Sequence, residues 1–177
     1  MSKIPALLEG GRSYSFEFFP PKTVHAQMTL GHTIASLEPL DPTFVSVTYG
    51  AGGGTRERTH EVVTWVRKQT DITPMAHLTC VGNSRAEIEK ILRSYDEAGI
   101  ENIMALAGDA PKDGSAVQGD FRYATDLVEF IKECGDFAIG VAAHPEGHPL
   151  SADLVAHRER LAYKLSLPDF AVTQFSF

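Results

Sequence analysis

Six short apolar stretches recur along this chain, and segments with helical periodicity separate them. The predicted strands begin about 30 residues apart; they lie at 14–19, 44–49, 74–80, 102–107, 137–143 and 170–176. Between them apolar residues repeat at the spacing of one helix face; the predicted helices lie at 25–37, 55–68, 84–98, 124–134 and 152–165. Strands that alternate with helices, without long linkers, predict an α/β protein with a parallel sheet.

The helix ends carry recognisable chemistry. Ser84 and Glu87 have the spacing of a capping box, and Gly99 follows as a C-terminal stop for the helix at 84–98. Thr55 is a plausible N-cap for the next helix upstream. Gly31 weakens the prediction of a helix at 25–37, because glycine costs helix stability.

Polar side chains stand at or near the end of every predicted strand; they are Glu17, Thr48, Tyr49, His77, Thr79, Asp109, His144 and Gln174. An open doubly wound sheet gathers its ligand groups at one switch point. A (βα)8 barrel, the TIM barrel, instead collects them in a ring at the carboxyl ends of its strands. Polar turns explain some of these residues, but not His77 and Gln174, which lie inside apolar strands. The pattern therefore favours the barrel.

The predicted barrel has eight strands, and this chain of 177 residues supplies six. We therefore expect residues 1–177 to form a single barrel domain that lacks the last two βα units. Bare sheet edges are rare in natural proteins. We accordingly expect further chain or a partner, for example a second copy in a homo-oligomer, to cover the two outer strands.

Glu17 lies between aromatic residues in the first predicted strand, and Pro20 and Pro21 directly follow that strand. If the side chain is buried, loss of solvation raises its pKa and favours a general acid. If Glu17 belongs to an edge strand that faces water, no such shift follows. The sequence leaves both interpretations open.

The overall charge narrows the range of partners. The formal net charge is −7 and the sequence pI is about 5.4, which argues against nucleic acid or an anionic membrane as the main partner.

The only cysteines, Cys80 and Cys134, are far apart and outside any CxxC pattern, so neither a disulfide framework nor a zinc site is indicated. No signal peptide and no spanning apolar run are visible. The expected compartment is the cytoplasm.

A glycine-rich segment at 50–55 follows the second strand and precedes a helix. It resembles a phosphate-binding turn. It fails the dinucleotide fingerprint, because Thr55 occupies the sixth position where that motif has glycine. A tight turn without ligand is the other interpretation.

Two further stretches carry candidate chemistry. His144, Glu146 and His148 stand close in sequence, but Pro145 and Gly147 break the helical geometry that a metal pair needs. We therefore expect a ligand-contacting loop with no metal. Asp109 follows the fourth strand. If it lies opposite Glu17 across the mouth of the barrel, the two carboxylates form a polar pair that is suited to binding a cationic or amide-rich ring.

Seven segments together resemble the methylenetetrahydrofolate reductase family; they lie at 15–23, 44–59, 74–82, 101–109, 123–128, 136–149 and 169–177. The match runs in order over nearly the whole chain. The resemblance implies a TIM barrel that binds FAD and passes a hydride from NADH or NADPH through the flavin to 5,10-methylenetetrahydrofolate. The product would be 5-methyltetrahydrofolate, for methionine biosynthesis.

The resemblance also implies roles for particular residues. Glu17 matches the catalytic acid, which helps to open the methylene bridge to a reactive iminium. Asp109 matches a carboxylate that contacts both pterin and flavin, and Gln174 matches a pterin-binding amide. The positions that match flavin contacts are Thr48, Tyr49, Ala51, His77, Gly108, Tyr123, Ala124, His148, Asp153 and Lys164; the spacing of the last two departs from the family.

Three departures from the family pattern stand out. Ala107 replaces an arginine before Gly108-Asp109, His144 replaces a tyrosine, and Phe175-Ser176 replaces a pair of phenylalanines. Loss of the arginine predicts weaker FAD binding, for which His144 or His148 offers a substitute charge. Two alternatives stay open: a reductase with direct hydride transfer and no flavin, and a degenerate or fragmentary barrel that binds folate or nucleotide without turnover.

Overall fold

The computed structural model describes residues 3–49, 56–109, 119–147 and 153–173. Its strands are β1 (Ser15–Phe18), β2 (Phe44–Val47), β3 (Pro74–Thr79), β4 (Asn102–Leu106), β5 (Ala138–Ala143) and β6 (Phe170–Thr173). Its helices are α1 (Ile4–Leu8), α2 (Val24–Leu37), α3 (Arg56–Gln69), α4 (Arg85–Glu97), α5 (Ala124–Cys134) and α6 (Leu154–Leu165), with a 3₁₀ turn at Glu38–Leu40.

The six strands form one parallel sheet in which spatial order equals chain order, from β1 to β6. A doubly wound sheet reverses its strand order at a switch point, and this sheet has no reversal. The strands form a curled half-barrel with helices on its outer side. The sheet is therefore part of an α/β barrel, as the ring of polar strand ends predicts.

The two faces of the sheet have different cores. The outer face packs against the helices in one large apolar cluster that includes Val45, Val63, Leu78 and Ile103. On the concave face a second, smaller cluster joins Ile4, Phe44, Met75 and Met104. This smaller cluster lies near the amino ends of the strands, so the carboxyl ends are left for polar groups.

Helix α1 was not predicted from the sequence. It has five residues, too few to show helical periodicity. Tertiary contacts hold it: Ile4 is fully buried, and its backbone N–H donates to Asn102 Oδ1 at 2.8 Å. Helix α1 thereby closes the amino end of the concave face.

The predicted strands and helices are confirmed, with ends that shift by one or two residues in the described part of the chain. The capping box of Ser84 and Glu87 is present, and Gly99 adopts a φ of 72° after α4. Thr55 and the extension of the sixth strand to residue 176 lie outside the described residues. Cys80 is buried and Cys134 is exposed, and both are free thiols.

The outer strands β1 and β6 each pair on one side only within the described residues. Their side chains are exposed or half-buried, whereas β2 is buried throughout. That the edges are covered by further chain or by a partner stays a prediction. No helix of the described residues has both the length and the apolar character to cross a membrane.

Candidate active site

Strand register places three of the predicted site residues on the concave face. Glu17 of β1 pairs with Ser46 of β2, which pairs with Met75 of β3. Side chains alternate along a strand, so Thr48 lies on the same face as Ser46, and His77 lies on the same face as Met75. Glu17 and Ser46 are level with Met75 of the apolar cluster around α1, and His77 is level with Met104 of that cluster.

Within the described residues, Glu17 makes its polar contacts through one carboxylate oxygen. Ser46 Oγ lies 3.4 Å from Glu17 Oε2 and donates a hydrogen bond to it. His77 Nε2 lies 3.5 Å from the same oxygen, but without the geometry of a hydrogen bond. The side chain of Glu17 is 55% exposed. The interpretation of Glu17 as a buried carboxylate is therefore wrong for this structure, in which β1 pairs on one side only within the described residues.

His77 is the buried member of this pair, with 7% of its surface exposed. Loss of solvation lowers the pKa of its imidazole from 6.5 to about 4. The ring is therefore neutral at physiological pH, and its contact with Glu17 is that of an uncharged imidazole with a carboxylate. Nε2 is fully buried and has no hydrogen-bond partner in the part of the chain that the structure describes.

A second polar cluster connects Tyr49, Arg56 and Asn83. Arg56 Nε donates to the hydroxyl of Tyr49 at 2.8 Å, and Arg56 Nη2 donates to Asn83 Oδ1. Asn83 is buried, and its amide group donates to the carbonyls of Thr79 and Val81 at 3.1 and 3.2 Å. The guanidinium of Arg56 thus fixes the end of β2 relative to the turn that follows β3.

Gly108 and Asp109 lie in the turn that follows β4. Gly108 has a φ of 90°, and a Cβ there would lie 2.4 Å from Val81 Cγ1, so only glycine fits this turn. Asp109 follows at the surface and is exposed. The structure gives no hydrogen bond or ion pair between Asp109 and Glu17, so the predicted pair across the mouth involves no direct contact between these two described residues.

Tyr123 and Ala124 stand at the start of α5. The ring of Tyr123 is exposed and lies under the guanidinium of Arg122, 5.1 Å from the ring centroid, whereas Ala124 is buried. The thiol of Cys80 lies 3.5 Å from the carbonyl of Ala107 and 3.7 Å from that of Tyr123. The start of α5 is therefore next to the end of β4.

Three more predicted flavin contacts flank β5 and α6. Asp153 caps α6 by accepting from the N–H groups of Val155 and Ala156. Lys164 Nζ donates to the carbonyl of Ala142 at 2.7 Å, and partial burial lowers its pKa. The carbonyl of His144 lies 2.9 Å from His157 Nε2. Asp153 and Lys164 thus have structural roles in this fold, whatever ligand they contact.

Three predicted site residues, Ala51, His148 and Gln174, lie outside the described residues, as does the glycine-rich turn at 50–54. Among the residues that are described, no group of three or more histidine, cysteine, aspartate or glutamate side chains is arranged to hold a metal ion.

The family model for methylenetetrahydrofolate reductase matches residues 2–177 of this chain. The chain belongs to this family. Two bacterial proteins of that name are similar to this chain along almost the whole length of the chain. The 5,10-methylenetetrahydrofolate reductase of Pectobacterium carotovorum subsp. carotovorum is 43% identical over 173 residues, and that of Escherichia coli (strain K12) is 41% identical over 173 residues. Each alignment covers 97% of this chain and 57% of the relative.

Methylenetetrahydrofolate reductase 1 of Schizosaccharomyces pombe is 38% identical over 171 residues, which cover 93% of this chain and 28% of that protein. The chain thus spans little more than half the length of its bacterial relatives. Among solved structures, 7,8-dihydropteroate synthase from Vibrio fischeri ES114 aligns over 92% of this chain and 73% of its own, at 11% identity and a TM-score of 0.41. A similarity this low carries no argument.

Sequence reasoning missed three residues of this candidate site: Ser46, Arg56 and Asn83. Ser46 is a hydroxyl inside an apolar strand, the same signal that singled out His77. Arg56 lies inside the 44–59 segment that carries the family resemblance, and Asn83 precedes the capping box of α4. No local pattern shows that Asn83 accepts a hydrogen bond from Arg56, because Arg56 lies 27 residues away, in α3.

Proposed function

We propose that the chain carries the folate-activating and flavin-binding part of a reductase that converts 5,10-methylenetetrahydrofolate to 5-methyltetrahydrofolate with hydride from NADH or NADPH. The observation that carries the proposal is Glu17, which stands at the open carboxyl end of the half-barrel with one oxygen held by Ser46. Family membership gives that carboxyl its substrate class. Because the chain spans 57% of its bacterial relatives, the activity of a whole protein is part of the proposal.

Glu17 is proposed to act as the general acid. Its proton passes to one nitrogen of the methylene bridge as the bond between that nitrogen and the methylene carbon breaks, and the bonding electron pair stays on the nitrogen. The methylene carbon is left as an iminium, which accepts hydride. Because Glu17 is half exposed, solvent reaches it and replaces its proton between turnovers.

Two buried polar atoms on the concave face are suited to holding a flavin. Thr48 Oγ1 and His77 Nε2 are buried polar atoms on the concave face without hydrogen-bond partners among the described residues. Such atoms are costly unless a ligand or water satisfies them. FAD, when bound, would carry the hydride from the nicotinamide to the folate carbon. Thr48 and His77 would hold it from β2 and β3, and Gly108 with Asp109 would approach it from the end of β4.

Glu17→Gln tests the proposed acid. Glutamine keeps the size and hydrogen bonding of the side chain but has no acidic proton, and a general acid contributes about 10²–10⁴-fold to a rate. We expect NADH- or NADPH-dependent reduction of methylenetetrahydrofolate to fall by that factor while folate binding, measured by calorimetry, is kept. Asp136→Asn is the matched control, since it neutralises an exposed carboxylate at the amino end of β5. Turnover near that of the wild type in Glu17→Gln contradicts the role.

A second candidate is a reductase with direct hydride transfer from nicotinamide to folate. Ala107 favours it, because the residue before Gly108 brings no cation to the site. The two candidates differ in one measurement: activity that is indifferent to added FAD supports direct transfer. Saturable folate binding with no turnover, with or without FAD, would instead support a binding protein. A cytoplasmic location and self-association stay predictions from the sequence.

A further inference from the structure

The two carboxylate oxygens of Glu17 have different surroundings. Both polar contacts, from Ser46 Oγ at 3.4 Å and from His77 Nε2 at 3.5 Å, fall on Oε2. Among the described residues no donor or acceptor is bonded to Oε1. The side chain is 55% exposed, so Oε1 is the oxygen available to a ligand on the concave face.

The surroundings of Ser46 offer its hydroxyl few hydrogen-bond partners. It is 4% exposed and lies between Val45 and Val47 in β2, a strand that is buried throughout. The parallel register sets it directly beside Glu17 of β1. Among the residues that the structure describes, the Ser46 hydroxyl makes one hydrogen bond, to Glu17 Oε2. A buried hydroxyl without a partner is costly.

We propose that Ser46 is a positioning residue for Glu17, which keeps Oε2 as the acceptor oxygen and thereby places the acidic proton on Oε1. This inference rests on the proposed function of Glu17 as the acid. The carbonyl oxygen is the better acceptor of a protonated carboxyl, so a hydrogen bond from Ser46 favours Oε2 as the carbonyl oxygen and Oε1 as the oxygen that carries the proton. When that proton leaves Oε1 for the bridge nitrogen, the new negative charge is shared with Oε2.

The hydrogen bond from Ser46 then strengthens, because a charged acceptor roughly doubles the strength of such a bond. An interaction that is stronger with the developing charge than before it accelerates the step. The separation of 3.4 Å is long for a bond to a carboxylate, and bonds of this kind often tighten only when substrate is present.

Few of the described side chains around Glu17 are titratable. On the concave face β2 presents Ser46 and Thr48, β4 presents Met104 beside His77, and none of these three titrates in the working range. His77 is the other titratable group in contact, and burial lowers its pKa to about 4. Under the proposal, activity ends at high pH where the acid has lost its proton, so a change at Ser46 should move that limit.

The test compares Ser46→Ala, Ser46→Thr and, as a matched control, Ser94→Ala, which removes a partly buried hydroxyl bonded to the carbonyl of Ile91 on α4. We expect Ser46→Ala to lower kcat about three- to tenfold with KM unchanged. Its upper pH limit should move to higher pH by about half a unit, a threefold change in the ionisation constant, because the carboxylate has lost a donor. Ser46→Thr should restore both values, and Ser94→Ala should change neither.

A lower kcat with an unmoved pH limit overturns the proposal, since loss of packing alone gives that result. The same holds if Ser46→Thr behaves like Ser46→Ala. A separate readout needs no turnover: the pKa of the Glu17 carboxyl, followed by carbon NMR in the folded protein, should rise in Ser46→Ala. An unchanged NMR titration overturns the anchoring by Ser46 even in a protein without reductase activity, whereas a raised pKa together with inactivity of the wild type rejects only the proposed function.

Discussion

Gly108 at the end of β4 packs against Val81 so closely that a Cβ on Gly108 would lie 2.4 Å from Val81 Cγ1. Its φ of 90° is also a conformation that side chains disfavour. We expect Gly108→Ala to lower the free energy of unfolding by about 2–4 kcal/mol, from backbone strain and overpacking together. Urea denaturation with linear extrapolation measures this change.

Gly31→Ala is the matched control for Gly108→Ala. Gly31 lies inside α2, where a Cβ would meet the ring of Trp65 at 3.9 Å, an ordinary contact. Alanine is the better helix former by about 0.5–1 kcal/mol, so this variant should be slightly more stable than the wild type. Equal stability of Gly108→Ala and the wild type would show that the turn after β4 rearranges.

The hydrogen bonds of Arg56 to Tyr49 and Asn83 predict energetic coupling between α3 and the strand ends. In a double-mutant cycle of Arg56→Met and Tyr49→Phe, we expect a coupling of about 0.5–1.5 kcal/mol in the free energy of unfolding. Arg56→Lys should not restore it, because an ammonium lacks the planar fork that reaches two acceptors.

Arg93 and Glu89 supply the control cycle for the coupling of Arg56. They form an exposed pair one turn apart on α4, at 3.0 Å. Such a pair contributes about 0.3–0.5 kcal/mol. A coupling between Arg56 and Tyr49 no larger than this would mean that the cluster does not hold the end of β2.

The buried imidazole of His77 predicts a pH dependence of stability. Its pKa is about 4 in the folded chain and 6.5 in the reference state, so between these values the unfolded chain binds the extra proton. The contribution of neutral His77 to the free energy of unfolding is therefore fully present above about pH 6.5. It is lost as the pH falls towards 4, and the loss for this one group is about 3 kcal/mol.

Urea unfolding at a series of pH values measures the contribution of His77. His77→Gln cannot titrate there and should show a flatter dependence over that range, whereas His25→Gln, which replaces an exposed histidine of α2, should keep the slope of the wild type. If both variants keep the same slope, His77 is not the group that carries it.

Ala107 predicts weak flavin binding that a single substitution improves. Its side chain is exposed at the end of β4, beside Gly108, so an arginine there can reach solvent and ligand without repacking. A guanidinium that pairs with a phosphate contributes about 1.5–3 kcal/mol, or roughly ten- to a hundredfold in affinity. We expect Ala107→Arg to lower the Kd for FAD by that factor in a fluorescence titration.

Ala107→Met has comparable length and no charge, and it should bind FAD as the wild type does. Equal Kd values for the arginine and methionine variants would reject an electrostatic contact at residue 107. Saturation with FAD that leaves the rate of methylenetetrahydrofolate reduction unchanged would favour direct hydride transfer.

The order and type of the elements could be predicted from the sequence, because the signals are local. Apolar runs, helical spacing and the capping box at Ser84 act within a few residues of the backbone they shape. Strand–helix alternation then leaves a parallel sheet, and polar residues at every strand end favour the barrel over the doubly wound sheet. The family resemblance rests on the same short segments.

Only the tertiary structure decided which of these residues meet. Ser46 and His77 are 29 and 60 residues from Glu17 in sequence, and strand register brings both to one oxygen of its carboxylate. The exposure of Glu17 follows from its place in β1, which pairs on one side only within the described residues. The sequence determined the elements because backbone preferences are local; the register and curvature of the sheet decided the site because contacts between distant strands have no signature in either strand alone.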